Sequence, residues 1–347
     1  MRRPAIVGRW LGRIADGTPP WIFAPTAQAV EASPGMPVAD RFLESVAAVE
    51  PHLSWSEWHF SRRSVTDVAD LAAKAVTVLF LGMPSVAAEL VGHPGVEMVD
   101  INALNRRRYP KLAELADAHY CDVASRITGP QVELTLMDPP WHVDEALRWL
   151  QVAATRTAPR GRIVTTLFHP GLTLEAPRER AQLLAAFRSL GRTRILDLDV
   201  RYSTPLFESR TMHALGLVDP GDWRVGQLVE IQLGHLYTAP PPVPSVDPYR
   251  AWETYLIGSQ VVRLRPHHRR QLPGFHAPVT GFPDYQLRSV SRSQLRALDF
   301  DIWTSRNRVA LIKDTTAAAG VLAQLRESVA PRWQFGWESP LDDLLEL

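Results

Sequence analysis

The sequence predicts an open α/β sheet followed by a smaller α+β unit, and three observations lead there. Short apolar runs that end in glycine or an acid recur between residues 69 and 238. Helical stretches separate them, the alternation expected of strands laid parallel with crossover helices. A proline-rich run, Ala239–Pro244, then reads as a stiff linker to a basic C-terminal part. The expected organisation is an N-terminal extension or lid over 1–68, a ligand-binding sheet domain over 69–238 and an accessory or substrate-recognition unit over 249–347.

In chain order, Val38, Phe42, Val46 and Val49 recur at helical spacing. Trp55, Trp58 and Phe60 follow, and packing is the expected role of these aromatics. Ser64 and Thr66 are candidate N-caps for a helix over Asp67–Ala75. Val76–Leu81 is a short, mostly apolar run that stops at Gly82, as a strand buried on both faces would. Val96–Val99 stops at Asp100, and Leu134–Met137 stops at Asp138. Further strands are expected at Arg162–Phe168, Arg194–Val200 and Gln227–Leu233, with helices over Val86–Leu90 and about Arg178–Leu190.

Composition narrows the function classes. The chain has 347 residues, 46% hydrophobic and 22% charged, enough apolar material for a packed core. Its net charge of +1 gives no global attraction to a polyanion, so any basic surface has to be local. Between Arg250 and Lys313 eleven Arg/Lys face four Asp/Glu, a local surplus of seven. Cys121 is the single cysteine, which excludes an internal disulfide framework and a cysteine-built zinc site; no metal is expected. After Met1-Arg2-Arg3 the chain carries no apolar signal core, and no stretch approaches a membrane span, so a cytoplasmic location is expected.

Ligands of open α/β sheets bind at the carboxyl ends of the strands. Gly82 permits a tight turn and close backbone approach, with Met83 and Ser85 beside it in the loop and Pro84 suited to a first helical turn. Asp100, 18 residues after Gly82, is placed to receive ribose hydroxyls; a helix N-cap is an equal alternative. Asp122 offers a partner to an adenine amino group, or caps Val123–Arg126. In Asp138-Pro139-Pro140-Trp141, two prolines remove two N–H donors and leave their carbonyls uncontested. Asp138 and the Pro139 carbonyl can accept the N–H bonds of a planar amine while Trp141 stacks on its face. An ordinary Asp-Pro turn is the competing reading.

Taken in order, a strand ending in Gly82, one ending in Asp100, then Asp122 and Asp138-Pro139-Pro140-Trp141 resemble class I S-adenosylmethionine (SAM)-dependent methyltransferases that modify exocyclic amino groups, notably the N6-adenine type. The resemblance covers about 76–235 in the unpermuted order. It implies a Rossmann-like sheet, SAM as cofactor, Gly82, Met83, Ser85, Asp100 and Asp122 at the donor, and Asp138, Pro139 and Trp141 at the reacting amine. The favoured acceptor is an adenine base in DNA or RNA, gripped by the basic stretch 250–313. The donor loop carries Gly82 alone where the class usually has two or three glycines. A one-glycine loop also resembles the branched-chain polyamine synthases, which implies aminopropyl or methyl transfer to a small amine or polyamine as the alternative. A catalytically inactive methyltransferase-like scaffold in a complex is the third reading.

Tyr202 is a candidate acceptor-side residue, with core packing equally open. Trp303 and Arg306, like Ser289–Arg292, combine stacking and phosphate-holding groups, against an Arg-decorated surface over a Trp-anchored core. His142 and the run His267–Arg270 are expected at the surface. The acidic-apolar tail Leu341–Leu347 is a candidate docking segment for a protein partner.

Overall fold

The computed structural model describes residues 49–55, 57–214, 216, 221–235, 251–278, 300–327 and 339–345. The helix expected at Val38–Val49 (all but its last residue), the proline-rich run and Ser289–Arg292 lie outside the described residues.

A seven-stranded sheet holds β1 (Val78–Leu81), β2 (Val96–Asp100), β3 (Asp117–Tyr120), β4 (Val132–Met137), β5 (Thr157–Phe168), β6 (Gly191–Tyr202) and β7 (Arg224–Leu233), in the order β3-β2-β1-β4-β5-β7-β6. The first five strands in that order run parallel, and β7 enters antiparallel to both β5 and β6. The ends of β1 and β4 adjoin: Leu81 pairs with Met137, and the Asp138 amide donates to the Leu81 carbonyl at 3.1 Å.

Alternation along the strands divides the core into two layers. Val78 and Phe80 of β1 join Leu134 and Leu136 of β4 against α1 (Arg62–Ala72) and α2 (Pro84–Glu89). Leu79, Leu81 and Met137 point the other way, against α4 (Val143–Arg156) and α5 (Ala176–Leu190); a short α3 (Asn105–Arg108) follows β2. All four residues of β1 are buried, because a central parallel strand has no solvent face. A last helix of this unit, α6 (Leu206–Ala214), follows β6.

The helix expected from Asp67 begins earlier, at Arg62, behind Ser61. The Ser64 hydroxyl accepts from the Arg201 amide at 2.8 Å instead of capping, and the boundary drawn at 68 falls inside α1. Phe60 bridges to Tyr202, so the stretch ahead of α1 adds a short pairing to the β6 edge.

The second unit is a five-stranded antiparallel sheet, β8 (Glu253–Ile257), β9 (Gln260–Leu264), β10 (His276–Pro278), β11 (Ile302–Thr304) and β12 (Val309–Ile312), packed on α7 (Thr315–Glu327) and α8 (Asp342–Leu345). The described part of the acidic-apolar tail belongs to this core: Leu341, Leu344 and Leu345 are buried, and Leu345 accepts from the Gln260 side chain. These three leucines are packed inside the chain. The N-terminal stretch ties the two sheets together. Glu50 binds Arg306, Ser305 and Ser259 of the second unit, while Glu57 accepts from Asn102 just beyond β2. Among the described residues no helix is long and apolar enough to cross a membrane.

Candidate active site

Strand ends on the carboxyl side of the large sheet converge on Asp138. It sits one residue past β4, and its Oδ1 accepts from the Thr166 hydroxyl of β5 at 2.5 Å and the Tyr202 hydroxyl of β6 at 2.7 Å. Among the described residues no group donates to its Oδ2, nor to the neighbouring Pro139 carbonyl. Burial pushes the Asp138 carboxyl up to about 7, while the two hydroxyls and the charge of Arg224 pull the other way. A carboxyl balanced near neutrality can hold an amine N–H when ionised and take its proton.

Aromatic rings enclose this acid. Trp141 stands edge-on to Tyr202 with centroids 5.3 Å apart and lies 6.1 Å from Phe168. Gly226 of β7 admits the Trp141 ring: a Cβ there would meet Trp141 and Val200 at 3.3 Å. Trp58, from the N-terminal stretch, approaches through Arg224, whose guanidinium carbon lies 3.5 Å from the Trp58 ring centre and 5.1 Å from that of Trp141. Pro139 is buried, and the Pro140 carbonyl accepts from the His142 amide, which turns the chain into α4. His142 is thus the residue preceding α4, in extended conformation.

At the end of β1, Gly82 has φ +66°, and a Cβ there would stand 2.4 Å and 2.6 Å from atoms of the Trp149 ring. Glycine is required here both by its backbone conformation and by the close approach of α4. Asp100 ends β2 with its Oδ1 accepting from the Asn102 amide at 2.7 Å and the Asn105 side chain at 3.1 Å. Burial, with the nearby Glu57 charge adding to it, pushes this carboxyl up to about 7 against those hydrogen bonds. No described group donates to Asp100 Oδ2.

The other sequence-predicted donor residues are engaged locally. Met83 is buried in the core beside α2. Ser85 is buried and hydrogen-bonds the Tyr109 phenol, which also meets His59 at 3.0 Å. Asp122 caps the 3-10 turn Val123–Arg126 through the Ala124 amide and is paired with Arg148 at 3.1 Å.

Trp303 and Arg306 lie in the second unit and are not brought to the strand ends. Trp303 is buried against His52 and Phe300 with its Nε1 donating to Asn307, and Arg306 is held by Glu50. Much of the basic surplus expected to grip a phosphate backbone is likewise met by the chain itself. Arg270 and Arg265 pair with Asp301, Arg269 with Asp314, and the buried Arg263 stacks on Trp55.

Thr166, Arg224 and Trp58 were not legible as site residues. Thr166 lies mid-strand in an apolar run, and only the register of β5 against β4 sets its hydroxyl on Asp138. Arg224 opens β7 with no motif around it.

The strand order, with antiparallel β7 between β5 and β6, gives a Rossmann-like α/β fold with a mostly parallel sheet. No protein-family model and no curated protein sequence matches the chain. Solved structures similar to it are distant. A branched-chain polyamine synthase mutein from Thermus thermophilus, bound to N4-aminopropylspermidine and 5′-methylthioadenosine, is 15% identical over 60% of this chain and 67% of that one, with a TM-score of 0.47. A Thermus thermophilus 16S rRNA N2 G1207 methyltransferase bound to AdoMet and guanosine is 14% identical over 57% of this chain and 45% of that one, with a TM-score of 0.33. The magnesium protoporphyrin IX methyltransferase of Synechocystis with bound SAM is 12% identical over 49% of this chain and 78% of that one, at a TM-score of 0.33. Similarity this distant says nothing of which reaction the chain carries out.

Proposed function

We propose that this chain is a SAM-dependent transferase that methylates an amino nitrogen, with an adenine base of a nucleic acid as acceptor. The observation that carries the reading is the Asp138 carboxyl. Its Oδ1 is fixed by Thr166 and Tyr202 while its Oδ2 and the adjacent Pro139 carbonyl stay uncommitted within a ring of aromatic side chains. Two acceptors and a stacking face suit one planar amine.

The residues at the ends of β1 and β2 fit the donor. Asp100 Oδ2 is the acceptor left for ribose hydroxyls, and Gly82 provides the left-handed turn that ends β1 beside them. When bound, SAM supplies an electrophilic methyl on sulfonium sulfur. Asp138 and the Pro139 carbonyl orient the amine so that its lone pair leaves conjugation with the ring and points along the line of attack. The Asp138 carboxylate would accept the proton that the nitrogen sheds on methylation. Trp141 holds the base plane, and the contribution is mainly orientation with electrostatic stabilisation of the developing charge.

Calorimetric titration with SAM and S-adenosylhomocysteine tests the donor. Binding lost in Asp100→Ala and kept in Asp138→Asn is the expected result. Radiolabelled methyl transfer to DNA, RNA and polyamine acceptors, absent in Asp138→Asn, then tests the acceptor. Failure of both nucleosides to bind at millimolar concentration would remove the basis for a transferase and leave the scaffold reading.

A further inference from the structure

Among the described residues Arg224 is a cation aimed at the aromatic rings around Asp138, and the reaction as described does not use it. Its guanidinium lies on the face of Trp58 and within 5.1 Å and 5.6 Å of the Trp141 and Trp223 ring centres. Its Nε is buried with no hydrogen-bond partner, and none of the described residues accepts a hydrogen bond from the guanidinium. Glu208, itself buried, acts on it through space and not through a contact ion pair. Desolvation works against the Arg224 charge, and the Glu208, Tyr202 and Asp138 charges oppose that effect. A guanidinium carries five N–H donors in a planar fork matched to carboxylate and phosphate oxygens. Held by ring faces, the fork leaves its buried Nε without a partner, which is costly, and its other N–H groups have no acceptor among the described residues.

We propose that Arg224 binds an anionic oxygen of the acceptor, so that the substrate carries a phosphate beside its reactive amine. This deepens the amino-transfer reading above and rests on it. It also separates the acceptor classes: a nucleotide unit presents a planar amine and a phosphate together, whereas a polyamine presents only cations, which Arg224 repels. Trp58 and Trp141 fix the guanidinium plane, so the fork is pre-organised and the phosphate position relative to Asp138 is set before binding.

The test uses the full chain saturated with S-adenosylhomocysteine, titrated calorimetrically with adenosine, adenosine 5′-monophosphate, a short single-stranded oligodeoxyadenosine and spermidine. The expected result is that at least one phosphate-bearing probe binds about tenfold or more tightly than adenosine, the scale of one charge-assisted hydrogen bond. The monophosphate and the oligonucleotide distinguish a terminal phosphate from an internal phosphodiester. Arg224→Gln should bring both to the adenosine level, and Arg224→Lys should keep part of the preference. Unchanged thermal unfolding and unchanged S-adenosylhomocysteine affinity in both variants show that they are folded. The proposal is overturned if adenosine binds as tightly as both phosphate probes, if Arg224→Gln retains the preference, or if spermidine binds where none of the adenine probes does. Absence of binding by every probe overturns it too. If S-adenosylhomocysteine itself does not bind, the transferase reading falls; if it binds and the phosphate preference is missing, only the role of Arg224 falls.

Discussion

Replacing Asp138 by asparagine is expected to stabilise the protein at neutral and alkaline pH. Burial raises the Asp138 carboxyl from 3.8 to about 7. Below about pH 4 the group is protonated in both the folded and the unfolded chain. Between about 4 and 7 the unfolded chain releases the proton while the folded chain keeps it, so stability falls as pH rises and levels off above about 7. At about 1.4 kcal/mol per tenfold difference in proton affinity, a rise of this size corresponds to about 4 kcal/mol. Asp138 is partly open to solvent; screening reduces the expected effect to about 2 kcal/mol. The asparagine oxygen keeps the bonds from Thr166 and Tyr202 and removes the titration. Urea unfolding at a series of pH values between 4.5 and 8.5 measures the difference. The variant should be the more stable by about 1 kcal/mol at pH 4.5, where the unfolded carboxyl is already mostly ionised, and by about 2 kcal/mol at pH 8. Asp100, raised in the same direction, contributes equally to both and cancels. Equal pH slopes, or a variant less stable at pH 8, would refute the claim that this carboxyl is held against its own ionisation.

The Tyr202→Phe variant should act in the opposite sense. It removes a 2.7 Å hydrogen bond to the carboxylate, moving the Asp138 midpoint up by about one to two pH units, readable in the same titration of stability. Gly82→Ala should destabilise by about 2 kcal/mol or more in urea unfolding, from left-handed backbone strain together with the Trp149 clash. A second substitution, Trp149→Leu, should recover only the clash part. Arg156, which is 1% exposed and binds both Glu97 oxygens, should cost about 3–5 kcal/mol when replaced by Met, because the Glu97 carboxylate is left buried with less support. An unchanged unfolding midpoint would show that Arg126 and His119 suffice for Glu97.

Periodicity located the sheet but not all of it. β3 is only four residues long and carries Asp117 and His119, so it lacks the apolar run that announces a buried edge. The strand expected at Arg194–Val200 extends to Gly191–Tyr202, and those extra residues are what carry Tyr202 to Asp138. Helix α4 was not anticipated behind the Asp-Pro-Pro-Trp motif, although Asp144 and Glu145 open it with the acidic first turn that favours a helix N-terminus. The basic surplus in 250–313 is in part neutralised within the chain. A sum over sequence cannot show that Asp301 takes up Arg265 and Arg270, or that Glu50, some 250 residues away, takes up Arg306.

By itself, the sequence determined the doubly wound sheet, the places where its strands end, and the acids standing there. Those features are local: a strand buried on both faces must be apolar, and glycine, acids and proline pairs mark where such a strand stops. Only the tertiary structure decided what each acid does. Asp122, identical in kind to Asp100, is consumed by Arg148, while Asp100 and Asp138 each keep one oxygen uncommitted. That outcome depends on which side chains from distant strands arrive at the same point, and register and crossover, not composition, set their arrival. Thr166 and Tyr202 come from two strands and meet at one carboxyl, with the Arg224 charge acting on it from a third, because β7 inserts antiparallel between β5 and β6.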